Sequence, residues 1–176
     1  MSGDEELEAG AMEALALALP RPRPEPRSEL RDRLMASVSA AEVRFAPFVD
    51  RLAAMIDVSA ARAAALLGSL AAPERWSPAL GPGIALMHLE GGAAVAGADV
   101  GFVRVEAGGA FPRHRHLGGE QVLILQGSLV EEDGSIAGAG EVISMRPQTT
   151  HAFVAGPEQA LIYAVVVYGV EFFAEA

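Results

Sequence analysis

His114, His116 and Glu120 fall within one short stretch of the chain, and His151 follows about thirty positions later. In an extended strand, residues i and i+2 share a face, so His114 and His116 point one way while Arg113 and Arg115 point the other. Leu117-Gly118-Gly119 reads as a loop that folds Glu120 back beside the two imidazoles. A neighbouring antiparallel strand beginning at His151 can supply a third imidazole from across a barrel. Desolvated imidazole and carboxylate groups aimed at one point are costly unless paired or ligated. Three imidazoles and one carboxylate suit a divalent transition metal with water in the remaining positions. The sequence has no cysteine, which excludes disulfides, thiolate zinc sites and cysteine nucleophiles together.

The elements that must position these residues fall in two parts. Residues 1–72 are rich in Ala, Leu, Arg and Glu, and residues 73–176 carry most of the glycines. Leu7, Ala11, Met12, Leu15 and Leu19 recur at helical spacing, which predicts an amphipathic helix over Glu5–Leu19. Prolines at 20, 22, 24 and 26, interleaved with charge, make residues 20–27 a stiff extended linker. Ser28 is placed to cap a helix over Glu29–Val38; Phe45, Phe48, Val49, Leu52 and Met55 mark another. Ser59 opens a further helix with Ala63, Leu66, Leu67 and Leu70 on one face, and Pro73 ends it. Beyond it, short strands are expected at Gly83–Leu89, Val100–Glu106, Phe111–His116, Gln121–Gln126, Ser128–Glu131, Glu141–Met145, His151–Ala155 and Leu161–Tyr168, with glycine-rich turns between them. Eight such strands with no intervening helix predict an all-β antiparallel sandwich or barrel behind an N-terminal α-helical extension.

The stretch from Gly108 to Gly127 reads G-x5-H-x-H-x3-E-x6-G, and it resembles the first signature of the cupin superfamily position for position. The likeness runs from about Trp76 to Phe173 and is nearest to ChrR-like cupins, the C-terminal domain type of anti-sigma factors. It implies a double-stranded β-helix (jelly-roll) barrel and metal binding by His114, His116, Glu120 and His151. The second cupin signature is altered in GEVISMRPQTTHAFVA: Pro147 and His151 are present at a spacing shorter by one, Thr149 replaces the glycine, and the asparagine is missing. The segment ALALALPRPRPEPRSELRDRLMASV resembles the piece that joins the sigma-binding zinc clamp to the C-terminal half in many anti-sigma factors. That clamp carries an H-x3-C-x2-C set; without cysteine, any sigma binding by this chain uses other means.

Other polar residues have plainer readings. Val122, Ile124 and Gln126 should follow Glu120 inward, leaving Leu123 and Leu125 outward and in need of an apolar cover. Gln126 and Arg146, the latter near the barrel mouth, are the candidates for a ligand pocket. His88 is accounted for by a surface pair with Glu90, and Tyr163 and Tyr168 by the core. Thirteen arginines, no lysine and 23 acidic residues give a net charge of −10, the wrong sign for gripping a phosphate backbone. No segment has the length of a membrane span and the first residues are acidic, so the expected location is cytoplasmic, with neither nucleic acid nor membrane as partner.

The expected function is a metal-binding, ChrR-like regulatory protein that senses a small molecule or an oxidant. Zinc is the leading metal, with iron, manganese or nickel as alternatives. A homodimer and a regulatory protein partner accompany this reading. The competing reading is a small cupin metalloenzyme, dioxygenase- or isomerase-like, working through the same four residues.

Overall fold

The structure is a computed structural model that describes residues 44–173, together with residues 28, 29 and 31–33. The helix expected over Glu5–Leu19 and the proline-rich linker lie outside the described residues. Residues 28, 29 and 31–33 are helical, at the start of the helix expected over Glu29–Val38; the rest of that helix also lies outside. The chain divides into two units, residues 1–37 and residues 38–176, and the second holds both sheets.

Two helices lead into the sheets. A 3-10 turn at Ala46–Phe48 runs into α1 (Val49–Met55). The second helix, α2 (Ala60–Gly68), begins where Ser59 caps it by accepting a hydrogen bond from the Arg62 amide at 3.2 Å. Eleven strands follow: β1 (Ser77–Pro78), β2 (Ile84–His88), β3 (Asp99–Val105), β4 (Ala110–His116), β5 (Glu120–Gln126), β6 (Ser128–Glu131), β7 (Ile136–Gly138), β8 (Val142–Met145), β9 (Thr150–Ala155), β10 (Leu161–Val167) and β11 (Val170–Phe172). All eight expected strands are present. The additional β1, β7 and β11 are two or three residues long, too short to show an alternating pattern in sequence.

The strands form two antiparallel sheets, ordered β1-β2-β3-β10-β5-β8 and β11-β4-β9-β6-β7. This is the antiparallel barrel that the glycine-punctuated pattern predicts, in the jelly-roll form that the cupin resemblance implies. Its interior holds Val103, Val105, Val122, Ile124, Leu129, Phe153 and Leu161 among others. The opposite face of the six-stranded sheet, with Phe102, Leu123, Leu125 and Ala164, packs on Leu52 and Ile56 and on α2 residues Ala63, Leu66 and Leu67. The helices are therefore the cover that Leu123 and Leu125 require, and β5 is buried on both faces.

Two register shifts alter the simple alternation. In β4, Phe111 opposes Phe153 and His114 opposes His151, so Pro112 and Arg113 together face the single residue Ala152. This β-bulge brings Phe111 and His114, three residues apart, onto the same inward face. Proline suits the position because a bulged residue has no ladder donor to lose. In β5, Ile124 opposes Tyr163 and Gln126 opposes Ile162, so Leu125 is the extra residue. Ile162 belongs to the helix-side cluster, and Gln126 leaves the inward stripe with it.

Candidate metal centre

Three strands and one loop bring the site together. His114 and His116 project inward from β4, and His151 lies directly opposite His114 on the adjacent β9. The third imidazole thus comes from the neighbouring strand of the same sheet, not from across the barrel as expected. Glu120 is the residue that crosses, entering from the first position of β5 in the other sheet. The 117–119 loop that delivers it packs closely against β10's end: a Cβ at Gly118 would lie 2.4 Å from the Tyr168 backbone oxygen, so only glycine fits there.

One donor atom from each of His114, His116, Glu120 and His151 lies within 4.8 Å of the other three. His114 and His116 are 3% and 0% exposed. The rings are mutually tilted, with His114 edge-on to both His116 and His151 at centroid separations of 4.9 and 4.6 Å.

Each imidazole is anchored through Nδ1, and the anchors fix the tautomers. His114 Nδ1 donates to the carbonyl of Pro112, the bulge residue, at 2.9 Å. His116 Nδ1 lies 2.8 Å from Thr149 Oγ1, whose own hydrogen is committed to the Arg146 carbonyl at 2.7 Å; the imidazole is therefore the donor. His151 Nδ1 donates to the Glu131 carboxylate at 2.9 Å. With all three Nδ1 atoms protonated, the three Nε2 atoms carry free lone pairs. His114 Nε2 and His151 Nε2 face each other at 3.1 Å, and buried His116 Nε2 has no hydrogen-bond partner while lying 3.5 Å from a Glu120 oxygen. Facing lone pairs beside a carboxylate repel unless a proton or cation lies among them. A proton is disfavoured at His114, whose pKa is lowered chiefly by burial and also by the neighbouring His151. The donor set therefore fits a divalent cation, and one outer partner, Glu131 on His151, takes the carboxylate–histidine form usual around such ions.

The group opens onto a cavity of about 240 Å³ lined mainly by apolar residues such as Val122, Ile143, Phe153 and Val165. His114, Glu120 and His151 line it. Gln126 and Arg146, the expected ligand-pocket residues, do not. The Gln126 amide is bound to the Ala160 carbonyl at 2.9 Å, as the β5 bulge dictates. Arg146 is exposed, and its carbonyl serves Thr149. Arg113 and Arg115 face outward as expected, each in a surface ion pair, with Glu132 and Glu171. His88 is exposed at the cavity wall and is not part of the four-residue group. Tyr163 is buried, but Tyr168 is 43% exposed and so is not a core residue: it lies beyond the end of β10, in the turn that Gly169 makes at φ 87°.

Sequence reasoning missed Glu131 as a partner of the site and saw Thr149 only as a departure from a motif. The signal for Glu131 was its parity with Leu129 on one strand; for Thr149, its position two residues before His151.

Two antiparallel sheets closing around three histidines and a glutamate define a cupin barrel. The chain belongs to the ChrR cupin-like domain family, whose family model matches residues 70–170. No curated protein sequence matches the chain. Among solved structures, it is similar to a chain of the complex of Rhodobacter sphaeroides SigE with the anti-sigma ChrR, at 23% identity and TM-score 0.52, covering 94% of this chain and 82% of that one. It is also similar to an acetylacetone dioxygenase from Acinetobacter johnsonii, at 17% identity and TM-score 0.50, covering 59% and 75%. At these identities the likeness concerns the fold.

Proposed function

We propose that this protein is a metal-binding regulatory module in which His114, His116, Glu120 and His151 hold one divalent transition ion. The observation that carries the reading is the anchoring of all three Nδ1 atoms, which turns three Nε2 atoms toward one carboxylate, with all four donors within 4.8 Å of one another. Zinc is the proposed ion; iron, manganese and nickel accept the same donors. Bound there, an ion would supply Lewis acidity to a molecule in the cavity that His114, Glu120 and His151 line. The chain's own part is to fix the imidazole orientations, exclude bulk water with apolar walls, and pass a change at the site outward.

The proposed route outward is β5. Its inward face carries Glu120, Val122 and Ile124, and its outward face carries Leu123 and Leu125 against the helices. A small molecule or oxidant in the cavity that displaces Glu120 would shift a strand on which α1 and α2 rest. A regulatory protein partner is proposed from family membership. A homodimer and a cytoplasmic location belong to the same reading. Support for a dimer comes from Ile136 and Val154, both exposed and both in register with Val130 on the outer face of the five-stranded sheet.

Metal analysis of the purified protein tests the reading, with His116→Ala as its control. One equivalent of zinc in the native protein and little in the variant is the expected result; absence of any transition metal from both, even after exposure to excess ion, would overturn it. The second reading, a metalloenzyme, is favoured by one observation, the cavity that opens on the site. Iron or manganese as the resident ion, with oxygen uptake in the presence of a substrate, would select it.

A further inference from the structure

Tyr163 is a buried group that the metal site does not use. It projects from β10 into the barrel, 4% exposed, and lines the same cavity as His114, Glu120 and His151. Its ring packs edge-on against Phe153 at 6.1 Å, and Phe153 in turn lies 5.8 Å from the His151 ring. On β10, Val167 is the residue opposite Glu120, and Tyr163 lies four residues deeper, level with Val103 and Ile124. The phenol therefore stands in the apolar interior, one aromatic ring removed from the imidazoles.

The other polar lining side chains are few and have other places. His114, Glu120 and His151 belong to the ion site, Glu131 is bound to His151, and His88 and Asp99 are exposed. The remaining lining residues are apolar, apart from a glycine, and no arginine or lysine is among them. Away from the ion site, a multiply charged anion such as a phosphate ester finds no cationic side chain here, and a sugar finds too few partners for its hydroxyls. A cavity of about 240 Å³ also lies below the size of pockets that take drug-sized ligands. What fits is a compact, largely apolar molecule with a single oxygen acceptor.

We infer that the Tyr163 hydroxyl is the specificity-determining donor of this cavity, selecting a small aryl or branched aliphatic carbonyl compound by a hydrogen bond to its oxygen. This deepens the small-molecule part of the proposed function and rests on the same cavity, but it does not require the ion. The stacked Phe111 and Phe153 rings, 4.7 Å apart, and Phe172 beside them supply aromatic wall for the ligand's body. Discrimination comes from the oxygen: a site built to bond an acceptor leaves its own donor unpaired when the acceptor is missing.

The test uses acetophenone and ethylbenzene, which differ in the carbonyl, with full-length protein in metal-loaded and chelator-treated forms. Tyr163→Phe removes one oxygen and keeps the ring packing; its melting temperature and metal content are checked first. The expected result is an affinity for acetophenone about tenfold weaker in the variant, with ethylbenzene binding unchanged. A second measurement reads the bond itself: the infrared carbonyl stretch of 13C-labelled acetophenone bound to chelator-treated protein should lie at lower frequency in the native protein than in Tyr163→Phe. Equal acetophenone affinity in native and variant protein, an unshifted stretch, or failure of both probes to bind would each overturn the inference. A shifted stretch in a protein that takes up no metal would sink the ion site and leave Tyr163 standing. A bound ion with an unshifted stretch would do the reverse.

Discussion

Glu131 sets the direction of His151 by accepting its Nδ1 hydrogen at 2.9 Å. Replacing it by glutamine keeps the shape, removes the charge, and lets the amide present a donor where an acceptor is needed. Glu131→Gln should lower metal affinity by roughly 10- to 100-fold without loss of fold, measured by competition with a chromophoric chelator. An unchanged affinity would show that the ion does not feel this carboxylate. Local spacing made His114, His116 and Glu120 legible in the sequence, because a strand's period of two and a short loop suffice to gather them. His151 was legible as a strand start, though its strand's place beside β4 was not. Glu131 and Thr149 were missed because parity on a strand or nearness to a histidine assigns no role until the strand pairing, a long-range fact, is known.

At the scale of elements, β5 is the piece on which both sides of the six-stranded sheet depend. Leu123 is fully buried against the helix layer while its neighbours Val122 and Ile124 fill the barrel. Leu123→Ala should cost about 2–5 kcal/mol in urea unfolding, since neither layer can collapse into the space without disturbing the other. A cost under about 1 kcal/mol would mean that the helices sit loosely on the sheet. The alternation of β5 was read correctly from Glu120 to Ile124 and failed at Gln126. A bulge inserts one residue without any mark in composition, and beyond it every inward assignment is reversed. The same physical cause, acting in β4, gathered Phe111 beside His114, where simple alternation would have sent it outward.

For the whole molecule, the burial of His114 ties stability to pH. Its imidazole has a pKa lowered in the folded state from its ordinary 6.5, burial being the first cause. In the window just below that value the unfolded chain holds the proton and the folded one does not. Stability of the metal-free protein is therefore complete above that window and falls as pH drops through it. Urea midpoints at pH 7.5, 6.5 and 5.5 in the presence of a chelator should decline in that order, and His114→Gln should flatten the decline. A midpoint that rises toward pH 5.5 would contradict the sign. Among the described residues no helix is long and apolar enough to cross a membrane, and α1 and α2 lie on one sheet as its cover.

The doubled residue in β4 has a consequence for how such a chain can change over generations. Pro112 and Arg113 add no side chain to the four-residue group, yet together they occupy the place of one residue in the ladder. Loss of either codon would leave the barrel its strand but force a choice: Phe111 or the imidazoles must give up the interior. Lineages that keep this centre should thus tolerate many replacements at 112 and 113 and hardly any deletion, so that the count of residues there, more than their identity, is what inheritance has to preserve.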